Sequence, residues 1–222
     1  MIHWPDIDSV FLDMDGTLLD LHYDNHFWLE HVPQRFAEAN NMQLDEAKER
    51  LYARYKQAEG TLNWYCVDYW SEQLGLDIPL LKQEVDHLIA VHPHVIEFLE
   101  ALQQMGKRVV LVTNAHGKVL EIKMNRTQLA GHFNRLICAH DLNIAKEMAG
   151  FWQRFQETEP FNIERTLLVD DSLPVLDAAR AYGFRHLLCI HAPDSRAGSR
   201  RITAYPAIDN FREITPNKSV AS

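Results

Sequence analysis

A chain of 222 residues is long enough for one sizeable core, or for a core with a small second unit. Lysine and arginine number 22 against 31 aspartates and glutamates, a formal net charge of −9. That balance argues against a nucleic-acid groove or an anionic membrane surface as main partner, because either would call for a basic face. The hydrophobic share of 46% is ordinary for a globular protein, and no apolar stretch approaches the ~18 residues of a membrane-spanning helix.

The N-terminal MIHWPDIDS has neither the basic segment nor the apolar run of a secretory leader, so none is expected. Apolar runs rich in Val, Leu and Ile predict the first strand at 9–13 and others at 108–113, 135–139, 166–170 and 186–190. Between the first two lies a stretch of another texture. Residues 20–92 are rich in aromatics, Glu and Lys and show helical periodicity: Leu44, Ala47, Leu51, Tyr55 and Ala58 make one stripe, and Leu81, Val85, Leu88 and Ile89 another. Pro33 is expected to break or kink the first helix there. Residues 94–105 place Val95, Phe98, Leu99 and Leu102 on one helical face, with Pro93 before and Gly106 after. A further helix is expected to begin near Lys146, and another over 174–182, with Ser172 as cap and Gly183 after its last turn. Residues 192–222 read as a tail wrapping the surface. Cys66, Cys138 and Cys189 are odd in number and far apart, so buried free thiols and a cytoplasmic location are expected rather than disulfides.

Alternating strands and helices imply a parallel sheet, an α/β fold, and ligands in such a sheet bind beyond the carboxyl ends of the strands. The first strand ends at Asp13 and Asp15, the second at Thr113 and Asn114, the fourth at Asp170 and Asp171; Lys146 follows the third. Four carboxylates in one place cannot all ionise unaided, and Mg²⁺ is the natural partner of such oxygen ligands. With the Lys146 ammonium and the Thr113 and Asn114 donors, the set suits a phosphoryl group. Asp13 could attack phosphorus, and Asp15 could protonate the leaving oxygen. Singly, each fragment is a common turn or cap. Together, in this order at strand ends, they point to one site.

The ordered motifs DMDGTLLD (13–20), VTN (112–114), Lys146 and LVDDS (168–172) resemble the haloacid dehalogenase-like hydrolase superfamily. That resemblance implies a Rossmann-like core, formed by 1–19 and 93–222, with an all-helical cap, 20–92, inserted after the first strand. It also implies a Mg²⁺-dependent phosphatase acting through an aspartyl-phosphate. Asp13 would be nucleophile and metal ligand, and Asp15 general acid/base, binding the metal through its carbonyl. Thr113, Asn114 and Lys146 would hold the phosphoryl group. Asp171 would bind metal, with Asp170, in place of a frequent glycine, a direct or water-mediated ligand.

DLHYDNHFWLEHVP (20–33) and TLNWYCVDYWSEQLGLD (61–77) are similar to the cap of bacterial GMP/IMP nucleotidases of this superfamily, which implies a purine nucleoside 5′-monophosphate as substrate. Trp64, Tyr65, Tyr69 and Trp70 either fill the cap's small core or stack on a base. Asp24, Asn25 and Asn63 could read purine edges, although Asp24 and Asn25 read equally well as a helix-cap pair. His116, two residues after Asn114, is the histidine expected nearest the substrate. A sugar phosphate or phosphoglycolate is the alternative substrate class. A signalling receiver would carry its acidic pair first in the chain, and a dehalogenase would not need Asp15.

Overall fold

Strands form where short apolar runs can be covered on both faces. The computed structural model describes residues 2–216; the end of the expected tail, 217–222, lies outside the described residues. The strands are β1 (Ser9–Leu12), β2 (Arg108–Thr113), β3 (Arg135–Cys138), β4 (Thr166–Asp170), β5 (His186–Ile190) and β6 (Ala207–Ile208). They make one sheet in the order β3-β2-β1-β4-β5-β6, with every pair parallel. β1 is central: Leu12 stands opposite Leu111 of β2 and Val169 of β4. The connections leave β1 in opposite directions, which opens a crevice at its carboxyl end. β6 is not anticipated by the sequence, because two residues beside Pro206 carry no readable periodicity.

Side chains alternate across the sheet. Val10, Leu12 and Leu111 pack with α6 (Val95–Gln104) and α7 (Gly117–Thr127), and Phe11, Val110 and Val112 with α8 (Phe151–Thr158) and α9 (Leu173–Tyr182). Ser172 does precede α9, but its side chain makes no capping bond; its backbone N–H instead donates to Asp170 Oδ1 at 2.9 Å. The helix expected from Lys146 begins only at Phe151. Lys146 sits in a turn, where Asn114 Oδ1 accepts its backbone N–H at 2.9 Å and so replaces a helical bond.

Between β1 and α6 lie five helices, the insert: α1 (His22–His26), α2 (Val32–Asn40), α3 (Leu44–Ala58), α4 (Val67–Leu74) and α5 (Ile78–Glu84). The disturbance expected at Pro33 falls just before it. Residues 27–31 form a π turn in which the Val32 N–H reaches back to the Phe27 carbonyl. The displaced carbonyls of Trp28 and Leu29 accept the Tyr55 and Tyr52 hydroxyls, at 3.3 and 3.4 Å. Leu44, expected in the apolar stripe, opens α3 and is exposed. Tyr65 and Tyr69 do not share a helix, because Cys66 separates a short 3₁₀ turn (Leu62–Tyr65) from α4. The two chain passages joining insert and sheet run side by side: Asp20 N–H donates to the Ala90 carbonyl and His92 N–H to that of Leu18, both at 2.9 Å. Cys138 and Cys189 are buried thiols, while Cys66 is half-buried and accepts the Tyr69 N–H at the start of α4. Among the described residues, no helix is long and apolar enough to cross a membrane.

Candidate active site

The polypeptide leaves β1 through a turn that only glycine can make. Gly16 has φ +85°, and its N–H donates to the Leu19 carbonyl at 2.7 Å. A Cβ there would stand 2.8 Å from Cγ of Asp171, so the first and fourth strand ends touch through this residue.

Three carboxylates converge beyond the strands. Oxygens of Asp13, Asp170 and Asp171 lie within 4.8 Å of one another. Lys146, buried, donates from Nζ to Asp13 Oδ1 at 2.5 Å, to Asp170 Oδ2 at 2.7 Å and to the Val112 carbonyl at 3.0 Å. Burial and the neighbouring Asp170 push the Asp13 carboxyl up to about 6 against the pull of Lys146. Burial, Asp13 and Asp170 likewise raise Asp171 well above the ordinary carboxylate range. For Lys146 burial acts downward, but Asp13 and Asp170 outweigh it and the ammonium is held firmly charged. Three carboxylates facing one ammonium leave a surplus of negative charge, and the donors are all hard oxygens. The trio therefore fits a divalent cation.

The sequence places four carboxylates together; in the structure the fourth turns aside. Asp15 Oδ1 accepts from Lys123 Nζ at 2.6 Å. Burial, with Asp24 and Asp13 nearby, raises its carboxyl to about 6 despite Lys123. Thr113 Oγ1 accepts the Ala115 N–H at 3.0 Å, and Asn114 Nδ2 donates to Glu147 Oε2 at 2.9 Å.

A cavity of about 340 Å³ opens over this cluster. Asp13, Asp15, Thr113, Asn114, Lys146, Asp170 and Asp171 form its floor, and Trp28, Tyr55, Trp64 and Trp70 wall the far side. The rings pack edge to face, with Tyr55 and Trp70 centroids 5.1 Å apart, and Trp70 Nε1–H donates to the Trp64 carbonyl at 2.9 Å. Of the rings expected either to fill the core of the insert or to stack on a base, Tyr69 packs against that core outside the cavity lining, whereas Trp64 and Trp70 belong to it and also line the cavity. Tyr65 and His116 also line it, and His116 caps α7 through Nδ1.

Of the three polar residues expected to read a base, Asp24 and Asn25 line the cavity and Asn63 does not. Asn63 is exposed and outside the cavity lining, because the 3₁₀ turn carries it outward. Asp24 reaches the cavity but is gripped by Lys82 Nζ at 2.5 Å and Lys123 Nζ at 2.6 Å. Burial alone would raise its carboxyl; the two lysines reverse this and hold it at about 2. Asn25 donates from Nδ2 to Asp194 Oδ2 at 2.7 Å, which ties it to the segment after β5.

Four charged residues at this site escaped the sequence reading. Lys82 and Lys123 are both buried. Glu147 joins Asn114 to the Tyr65 hydroxyl, which donates to its Oε1 at 2.9 Å. Arg200 donates to the Asp171 carbonyl at 2.8 Å. Only the lysines leave a trace: Lys82 falls in the stripe of Ile78, Leu81 and Val85, and Lys123 lies four residues after Val119. A charge in an apolar stripe needs a buried partner.

The model of the haloacid dehalogenase-like hydrolases matches residues 7–183, and the chain belongs to this hydrolase family. It is 41% identical over 216 residues to the GMP/IMP nucleotidase YrfG of Escherichia coli (strain K12), covering 97% of either chain, and equally to the protein of that name from Shigella flexneri. Among solved structures, a HAD phosphatase from Thermococcus onnurineus shares the fold with a TM-score of 0.79 at 23% identity, over 93% of this chain and 95% of the other. CbbY from Rhodobacter sphaeroides, in complex with phosphate, gives 0.63 at 16%, over 93% and 96%.

Proposed function

We propose that this protein is a Mg²⁺-dependent 5′-nucleotidase that hydrolyses purine nucleoside monophosphates, GMP and IMP, through an aspartyl-phosphate. The observation that carries the reading is the polarity of the cavity lining, which holds carboxylates and an ammonium around Asp13 and a cluster of indole and phenol rings around Trp70. A nucleotide has that polarity, and about 340 Å³ lies within the range of small-ligand sites. The 41% identity with a GMP/IMP nucleotidase across 97% of the chain supports the purine assignment.

In this reading residues 20–92 form the cap and 1–19 with 93–222 the core. Asp13 attacks phosphorus while Asp15 gives its proton to the leaving 5′ oxygen. In the second half-reaction Asp15 takes a proton from the water that attacks the acyl phosphate. Thr113, Asn114 and Lys146 hold the phosphoryl oxygens, and Lys146 keeps Asp13 ionised for attack. Asp13, Asp170 and Asp171, with the Asp15 carbonyl, would hold Mg²⁺. Bound there, the ion offsets phosphoryl charge that the carboxylates would otherwise repel. Trp64, Tyr65 and His116 face the base. A small phosphate ester is then the partner, and the free thiols fit a cytoplasmic location.

Asp13→Asn tests the chemistry. The variant is expected to keep the wild-type circular dichroism and melting profile and to lose GMP turnover by at least a thousandfold. EDTA is expected to silence the wild type and excess Mg²⁺ to restore it. Turnover near wild type in the variant, or hydrolysis unaffected by EDTA, overturns the mechanism.

A further inference from the structure

Asp15, Lys123, Asp24 and Lys82 form one unbroken chain of alternating charge. Asp15 Oδ1 meets Lys123 Nζ at 2.6 Å, Lys123 meets Asp24 Oδ2 at 2.6 Å, and Asp24 Oδ1 meets Lys82 at 2.5 Å. Lys123 belongs to α7, which packs on the sheet, while Asp24 and Lys82 come from α1 and α5 of the insert. Both lysines are 1% exposed. The Lys82 ammonium also lies 4.2 Å from the Phe27 ring centroid and 4.7 Å from that of Tyr23.

Lys123 is not part of the cavity lining, whereas Asp15 is. The lysine therefore has no access to substrate and acts on what it touches. Among the described residues, Lys123 is the side chain that fixes Asp15, and it does so through Oδ1 alone. That leaves Oδ2 for the reaction. An aspartate with no such anchor would distribute over its staggered rotamers, and a group displaced by about 1 Å from a reacting atom can cost about a hundredfold in rate. Asp24 balances the ammonium from the other side, and Lys82 holds Asp24.

We propose that Lys123 is a positioning residue that aims Asp15 at the leaving oxygen, held in place across the insert by Asp24 and Lys82. The inference rests on the reading of Asp15 as general acid. Because Asp24 and Lys82 lie in the insert, the acid is correctly aimed only while the insert is seated on the core.

The first half-reaction separates positioning from mere scaffolding. The P–O bond of a nucleotide breaks with proton transfer to the 5′ oxygen, while p-nitrophenolate departs without a proton. Rapid-quench measurement of the first turnover, per enzyme, compares guanosine release from GMP with p-nitrophenolate release from p-nitrophenyl phosphate. Lys123→Met is expected to slow the GMP step about 10- to 100-fold and the aryl step less than threefold. Asp24→Asn, which keeps side-chain shape, is expected to show the same split to a smaller degree and covers the case in which Lys123→Met fails to fold. Asp15→Asn is the control. If Asp15→Asn slows both esters alike, the general-acid reading fails. If it shows the split while Lys123→Met and Asp24→Asn slow both esters equally, or neither, the positioning role is overturned and the acid reading stands.

Discussion

A methyl group on Gly16 would stand 2.8 Å from Cγ of Asp171 and 3.0 Å from Cβ of Pro193, at a φ of +85°. Gly16→Ala is expected to cost about 1–2 kcal/mol from backbone strain alone, read from urea unfolding, and to cut turnover at least tenfold by moving Asp171; unchanged stability and turnover would contradict the contact. The carboxylates carry a second prediction. Asp13 titrates near 6 in the fold and near 3.9 unfolded. Its ionised form therefore opposes folding, and that cost grows as pH rises from about 4 through about 6. A bound cation relieves the cost where the carboxyl is ionised and competes with protons where it is not. Mg²⁺ is thus expected to raise the melting temperature more at pH 7.5 than at pH 5; an equal or reversed effect would argue against the Asp13–Asp170–Asp171 cluster as metal site. The clustered carboxylates were legible because each ends an apolar run abruptly. Glu147, Arg200 and the two lysines were not, since their partners come from distant elements and a one-dimensional pattern shows no pairing. Asn63 misled for a related reason: its neighbours Trp64 and Tyr65 line the cavity, but the 3₁₀ turn aims consecutive side chains apart.

Helices of the insert announce themselves by stripes, and α3 buries Ala47, Leu51, Tyr55 and Ala58 as its period requires. Its first residue, Leu44, shows the limit, because a terminal turn has less to pack against than the helix middle. Pro33 was readable as a disturbance but not as a π turn, whose freed carbonyls depend on Tyr52 and Tyr55 from α3. Trp70 is the element's keystone: buried, T-shaped against Tyr55 and hydrogen-bonded to Trp64. Trp70→Ala is expected to destabilise the protein by about 3–5 kcal/mol. Because the apolar cluster runs without a break from the insert into one face of the sheet, loss is expected in a single urea transition. Separate transitions for insert and sheet would show that the two do not fold as one unit.

At the scale of the molecule, parallel pairing follows from the alternation of strand and helix, and the five-strand pattern was visible in sequence, while the strand order was not. The sixth strand was hidden in the tail, where pairing with β5 rather than any intrinsic propensity orders two residues. The shape of the cavity could not be read at all, since it arises between sheet and insert. It is this shape that joins the carboxylates and the Lys146 ammonium to a wall of aromatic rings, and the proposed purine substrate rests on that union. Initial rates of phosphate release over GMP, IMP, UMP, glucose 6-phosphate and phosphoglycolate, at equal concentration with Mg²⁺, test that union most directly. GMP and IMP are expected to lead UMP and both non-nucleotide esters by at least tenfold in kcat/KM. A flat profile, or a lead for glucose 6-phosphate or phosphoglycolate, would contradict it.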